Sequence, residues 1–196
     1  MEDTNWMELA VIAGIVVGFT FVLLLFTTKT IRKRWRQAAA ATGLPLVEAT
    51  RIEGGVPGGK LVAYEGDRLV RVGRGHQVTT TVMGDLRVSP PDLFEASPQG
   101  AITTAPSFTT GDAEFDEAVV VAAKDIDAGR EFLTPRRRKA LLKFFAAVPE
   151  GGMFGSVIGR TRDGRMRSKA LTRTIMAFKS ALEELDRPSD GPRSAR

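Results

Sequence analysis

The sequence predicts an α+β protein: an N-terminal transmembrane helix followed by one domain, in which an antiparallel sheet packs against two C-terminal helices. Three observations lead there. Residues 9–28 (LAVIAGIVVGFTFVLLLFTT) form a run of 20 residues without a charge. Between residues 60 and 89, short β-branched segments alternate with Gly-Asp pairs, the pattern of an antiparallel meander. In the last third, apolar residues recur at helical spacing. At 196 residues, 43% of them hydrophobic and 26% charged, the chain is too apolar to stay disordered. It has no cysteine and one histidine, His76, which excludes disulfides, thiolate metal sites and cysteine nucleophiles.

The uncharged run spans about 30 Å as a helix, the thickness of a bilayer's hydrocarbon core. It has no polar face, unlike a soluble helix of that length. Trp6 and Trp35 flank it where amphipathic rings favour the interface, and Thr20 and Thr27 can bond back to the helix backbone. The preceding residues carry Glu2, Asp3 and Glu8 and no basic side chain, which disfavours a cleaved signal peptide. Lys29, Arg32, Lys33, Arg34 and Arg36 follow the run. They set the orientation, N-terminus outside and the remaining 168 residues cytoplasmic, and they suit contact with anionic headgroups. Gly14 and Gly18, one turn apart, are candidates for helix packing in a homodimer. The expected organisation is an extracytoplasmic N-terminus (1–8), a transmembrane helix (9–28), a basic juxtamembrane helix (29–43), a cytoplasmic α+β domain (44–186) and a disordered tail (187–196).

Residues 30–42 read as a helix continuing from the membrane, stopped by Gly43 and Pro45. Strands are expected at 60–65, 68–72, 77–83 and 86–89, with turns at Gly66-Asp67 and Gly84-Asp85. Residues 90–111 are rich in Pro, Gly, Ser and Thr and read as loop, with one helical turn at 91–96. The run EAVVVAA at 117–123 is a central strand, and 128–133 a short helix. Thr134-Pro135 is a helix start, with Thr134 as N-cap; Pro149 and two glycines end that helix. A strand follows at 153–160, then a turn at Asp163-Gly164 into a strand at 165–168. Leu171, Ile175, Phe178, Leu182 and Leu185 lie on one face of the last helix.

Charge is segregated along the chain. Residues 1–36 are net +2, residues 37–134 net −6 and residues 135–196 net +9, so the last two regions should attract each other. Arg136, Arg137, Arg138 and Lys139 occupy the first turn of a helix, the end where the backbone dipole opposes positive charge. Either Asp125, Asp127 and Glu131 hold them, the favoured reading, or they contact a polyanion. Gly54, Gly59 and Lys60 match part of a phosphate-binding loop, but Leu61 replaces its Ser or Thr and a strand pattern follows, so we read a glycine-rich turn. Asp112, Glu114 and Asp116 alternate like the start of a calcium loop without its glycine, and the expectation is that Asp112 and Asp116 satisfy turn amides or pair with arginines. His76 lies in a turn beside Gly73 and Gly75, and Ser156 follows Gly155 without the nucleophile-elbow pattern.

Thr110-Gly111-Asp112-x-x-Phe115-Asp116, an apolar strand and Phe132-Leu133-Thr134-Pro135 before an amphipathic helix together form a pattern. It resembles that of bacterial single-pass membrane-anchored proteins of unknown function, in which a basic, Trp-containing helix leads from the anchor to a small α+β domain. The resemblance spans residues 30–185, implies that architecture and brings no catalytic residues. The expected function is a non-enzymatic, membrane-tethered binding or scaffold module in the cell membrane, with membrane lipid and a protein as partners and no cofactor or metal. The alternatives are an anionic-lipid or nucleic-acid binder using the basic C-terminal third, with nucleic acid disfavoured, and an enzyme with an unrecognised site.

Overall fold

The computed structural model describes residues 6–70 and 75–187; the side chains of 6–15, 18, 19, 21–26, 67–70, 75 and 76 lie outside the described residues. The expected tail, from residue 188 on, and the packing of Gly14 and Gly18 fall outside them too.

The elements in chain order are α1 (Trp6–Thr42), β1 (Leu46–Glu48), β2 (Arg51–Val56), β3 (Gly59–Val70), β4 (Gly75–Leu86), β5 (Glu95–Pro98), β6 (Ser107–Phe108), α2 (Ala113–Ala118), β7 (Val119–Ala122), α3 (Ile126–Phe132), α4 (Pro135–Ala147), β8 (Gly152–Phe154), β9 (Val157–Asp163) and α5 (Ser168–Asp186). Among the described residues, nine strands form one sheet in the order β1-β2-β3-β4-β9-β8-β5-β7-β6, with every pairing antiparallel.

The α+β class and the antiparallel sheet are as expected. Helix α5 crosses β3 and β4, with α4 and the C-terminal part of α1 beside it. The predicted apolar face of α5 is core: Ile175, Phe178, Leu182 and Leu185 are fully enclosed, and the Phe178 ring meets Phe144 of α4 edge-on at 4.9 Å. Thr134 caps α4 through Arg137 N, and Pro135 opens the helix. Among the described residues, the sheet and these helices enclose one core that runs from Trp35 to Leu185.

Four local expectations need correction. Gly66-Asp67 and Gly84-Asp85 do not turn: both lie inside a twelve-residue pairing of β3 with β4, with Gly66 opposite Thr79 and Gly84 opposite Leu61. Gly84 serves packing instead, since a Cβ there would sit 2.8 Å from Leu182 Cδ1. The β2–β3 reversal falls at Pro57-Gly58. Gly58 has φ +86°, and a Cβ would strike the Leu182 carbonyl at 2.1 Å, so only glycine fits. Residues 91–96 do not make a helical turn, because β5 begins at Glu95 and its backbone is taken up by β7 and β8. No strand follows Gly164: Met166 turns into the core and α5 starts at Ser168. The strand expected to be central, β7, is paired on both sides but lies next to the sheet edge.

The end of α1 is where the sequence places it, but the setting of Trp35 differs from expectation. Helix α1 runs unbroken from Trp6 to Thr42, with Gly43 at φ +69° just beyond. Trp35 is not an interfacial ring. It is fully enclosed with Ala38 against the domain, because it faces α5 and the sheet. The domain's core therefore begins inside α1 rather than at residue 44. Among the described residues, no helix is long and apolar enough to cross a membrane; most of the expected 9–28 span has side chains outside that set. Within the span, Val16 and Val17 are exposed, and Thr20 donates to the Val16 carbonyl as expected.

Candidate functional site

Helical geometry divides the last turns of α1 into two faces. Ile31, Arg34, Trp35, Ala38 and Thr42 follow the 3–4 spacing and turn inward. Lys29, Arg32, Lys33 and Arg36 follow the same spacing on the other side, are exposed, and with Gln37 and Ala40 line a shallow surface depression. Four of the five predicted headgroup residues thus share one stripe. The fifth, Arg34, does not belong to it.

Arg34 pairs with Glu65 of β3 and is only 15% exposed. Burial lowers the Arg34 pKa, Glu65 opposes that shift and Arg165 adds to it. Among the described residues, the buried Arg34 Nε and Trp35 Nε1 have no hydrogen-bond partner. Glu65 is 7% exposed and holds a second cation, with Oε2 3.9 Å from Arg165 Nε. This carboxylate therefore ties three elements together: α1, β3 and the turn joining β9 to α5.

That turn is built firmly. Gly164 N donates to the Val78 carbonyl at 2.7 Å, Thr80 Oγ1 donates to the Gly164 carbonyl at 2.9 Å, and Met166 N donates to Thr80 Oγ1 at 3.3 Å. Gly164 has φ +82°, and Met166 is buried beneath the turn. Arg162, Arg165 and Arg167 are exposed around it, together with Asp163.

Arg136, Arg137 and Arg138 behave differently. Arg136 pairs with Glu184 at 3.1 Å. Arg137 donates to the Leu185 carbonyl at 2.9 Å and to the Phe132 carbonyl at 3.0 Å, and lies over the Phe132 ring at 4.3 Å. Arg138 donates to the Leu133 carbonyl at 2.8 Å and to Asp112 at 3.0 Å. Their guanidinium groups therefore sit at the C-terminal ends of α3 and α5, where the dipole favours positive charge. The pairing is internal, but the expected partners are not the ones used. Asp125 caps α3 through the Asp127 and Ala128 amides, and Asp127 lies 3.6 Å from Arg130. Lys139 is exposed.

Asp112 caps α2 through Phe115 N besides binding Arg138. Asp116 accepts from Thr110 N, Thr110 Oγ1 and Gly111 N at 2.8–3.1 Å. Burial pushes its carboxyl pKa up, but these bonds and Arg138 outweigh burial and hold it below the ordinary value. Asp112 thus caps a helix start and pairs with arginine, while Asp116 satisfies the turn amides of Thr110 and Gly111. Gly54 and Gly55 lie in β2 and Gly59 in β3, so of the glycine-rich stretch only Pro57-Gly58 turns. Ser156 Oγ donates to Asp85 Oδ1 at 2.9 Å. The side chain of His76 lies outside the described residues.

Sequence reasoning missed Glu65. It sits in a strand with no motif around it, and only the fold brings Arg34 and Arg165 to it from 31 and 100 residues away. No protein family, curated protein or solved structure matches the chain.

Proposed function

We propose that this chain is a single-pass membrane protein whose α+β domain is a non-enzymatic tethered module, mounted on the cytoplasmic face of the cell membrane. One observation carries the reading. The uncharged run 9–28, the exposed Lys29–Arg32–Lys33–Arg36 stripe and the enclosed Trp35–Ala38–Thr42 face follow one another on one unbroken helix. A span ending at Thr28 would place Trp35 only about 10 Å beyond the hydrocarbon. The domain would then stand directly on the headgroup layer, with no linker to let it swing. A rigid mount suits a scaffold, which must present a surface in a fixed orientation.

The internal engagement of Arg136, Arg137 and Arg138 supports a tethered module over a nucleic-acid binder that uses the C-terminal third. The test is fractionation of cells expressing the full chain. Retention in membranes after alkaline carbonate washing, with a C-terminal reporter active only in the cytoplasm, is the expected result. Release by carbonate, or a reporter active only outside, overturns the reading.

A further inference from the structure

Membrane contact should extend beyond α1. We propose that the turn between β9 and α5, through Arg162, Arg165 and Arg167, is a second site for anionic phospholipid headgroups. Glu65 holds it level with the basic stripe of α1. This rests on the membrane-anchored reading above.

The argument is one of position. Arg34 lies six residues past Thr28, about 9 Å beyond the expected end of the span. The headgroup region adds about 5–8 Å on each side of the hydrocarbon core. Glu65 binds Arg34 and also approaches Arg165, so the turn lies at the same depth as Arg34, while β3 and β4 stay paired past Glu65 as far as Val70 and Gly75. Strand β3 fixes the other end. Gly58 packs on the Leu182 backbone, seven residues from Glu65 and about 24 Å further along the strand. That level of the domain thus presents Lys29, Arg32 and Lys33 from α1, Arg162 from the end of β9, and Arg165 and Arg167 from the turn. Asp163 at the end of β9, Glu150 near Arg162 and Glu65 beside Arg165 are the acidic side chains around these arginines, and Lys169 adds a further exposed cation at the start of α5. Long arginine side chains on a turn pinned by Thr80 can reach phosphates while the backbone stays fixed. Charge complementarity with an anionic leaflet therefore covers a surface rather than a single helix. A free polyanion would not need cations from two elements gathered at one depth beside an apolar span.

The absence of cysteine permits a clean test. The full chain carries one fluorophore, at Lys169→Cys beside the turn or at Pro57→Cys at the far end. Each protein is reconstituted into nanodiscs of phosphatidylcholine with or without phosphatidylglycerol, containing a headgroup-attached quencher. We expect quenching at position 169 to exceed that at 57 and to rise with phosphatidylglycerol. Replacing Arg162, Arg165 and Arg167 together by glutamine should cut the phosphatidylglycerol-dependent part by about twofold or more, and lysine at all three should restore it. Equal quenching at 169 and 57, or quenching at 169 that ignores phosphatidylglycerol, overturns the proposal even if the glutamine variant fails to fold. In those cases the protein still co-elutes with the discs. Failure to enter discs at all would instead overturn the anchored reading, and this proposal with it. Binding of duplex DNA through the same three arginines, without a lipid preference, also overturns it.

Discussion

Two clusters of basic residues on helices, one at 32–36 and one at 136–139, look alike in the sequence, yet the fold uses them in opposite ways. In α4 the arginines reach back to neighbouring helix ends and become part of the structure. In α1 most of them point away from the domain. The difference lies in what surrounds each helix. Beside the start of α4, the C-terminal ends of α3 and α5 offer carbonyls at Phe132, Leu133 and Leu185, and Glu184 and Asp112 offer carboxylates. Beside α1, the inward face meets the domain, and the Glu65 carboxylate meets Arg34 there. A run of arginines on a helix therefore stays an exposed stripe only where no helix end or buried acid already claims it.

The largest effect should come from the residue that fixes the rotation of α1. Trp35→Ala should cost about 3–5 kcal/mol, because the ring is fully enclosed. Its neighbour Arg36, on the exposed stripe, should cost less than about 0.5 kcal/mol on replacement by alanine. Chemical denaturation measures both, and similar losses would erase the two-faced description of α1.

The Arg136, Arg137 and Arg138 triple exchange to glutamine comes next. A surface pair alone would predict little change. Because Arg137 bonds two helix-end carbonyls and covers Phe132, we expect a loss of about 1–3 kcal/mol. An unchanged melting temperature would move this cluster into the same class as the α1 stripe.

Glu65→Gln should cost about 1–2 kcal/mol, since it leaves the Arg34 charge in place without its carboxylate. The double variant with Arg34→Gln should recover part of that loss, and a purely additive double variant would deny the coupling.

A smaller effect concerns acid. The folded-state pKa of Asp116 is held below its unfolded value. Its contribution is therefore complete above the unfolded value, about 3.9, and is lost as pH falls through the folded value. Asp116→Asn should lower stability at neutral pH and flatten the decline between about pH 5 and 3. An equally steep decline in both proteins would remove Asp116 from the acid response.

The smallest effect on stability should come from exchanging Lys29, Arg32, Lys33 and Arg36 together for glutamine. Stability should shift by less than about 0.5 kcal/mol per site, while attraction to anionic vesicles weakens. A large loss of stability would show that the stripe is structural like its counterpart in α4.

The parts of the fold legible in the sequence are those decided by neighbours along the chain. The Thr134-Pro135 start of α4 and the apolar face of α5 needed only local capping chemistry and the helical repeat. The misread glycines show the limit. Gly66 and Gly84 carry the residues of a turn, but a turn is chosen only when the strand has no partner to continue with. Here β3 finds β4 along twelve positions, and α5 needs the space at Gly84.

Charge shows the same division. Composition alone determines that the middle of the chain is acidic and its last third basic, and that 9–28 is an uncharged run followed by cations. Which acid meets which base is decided by tertiary structure, because a salt bridge depends on a few ångströms of separation between residues far apart in sequence. Glu65 between Arg34 and Arg165, and Asp112 beneath Arg138, are contacts of that kind. They turn two similar basic runs into a structural clasp on one helix and an exposed stripe on the other.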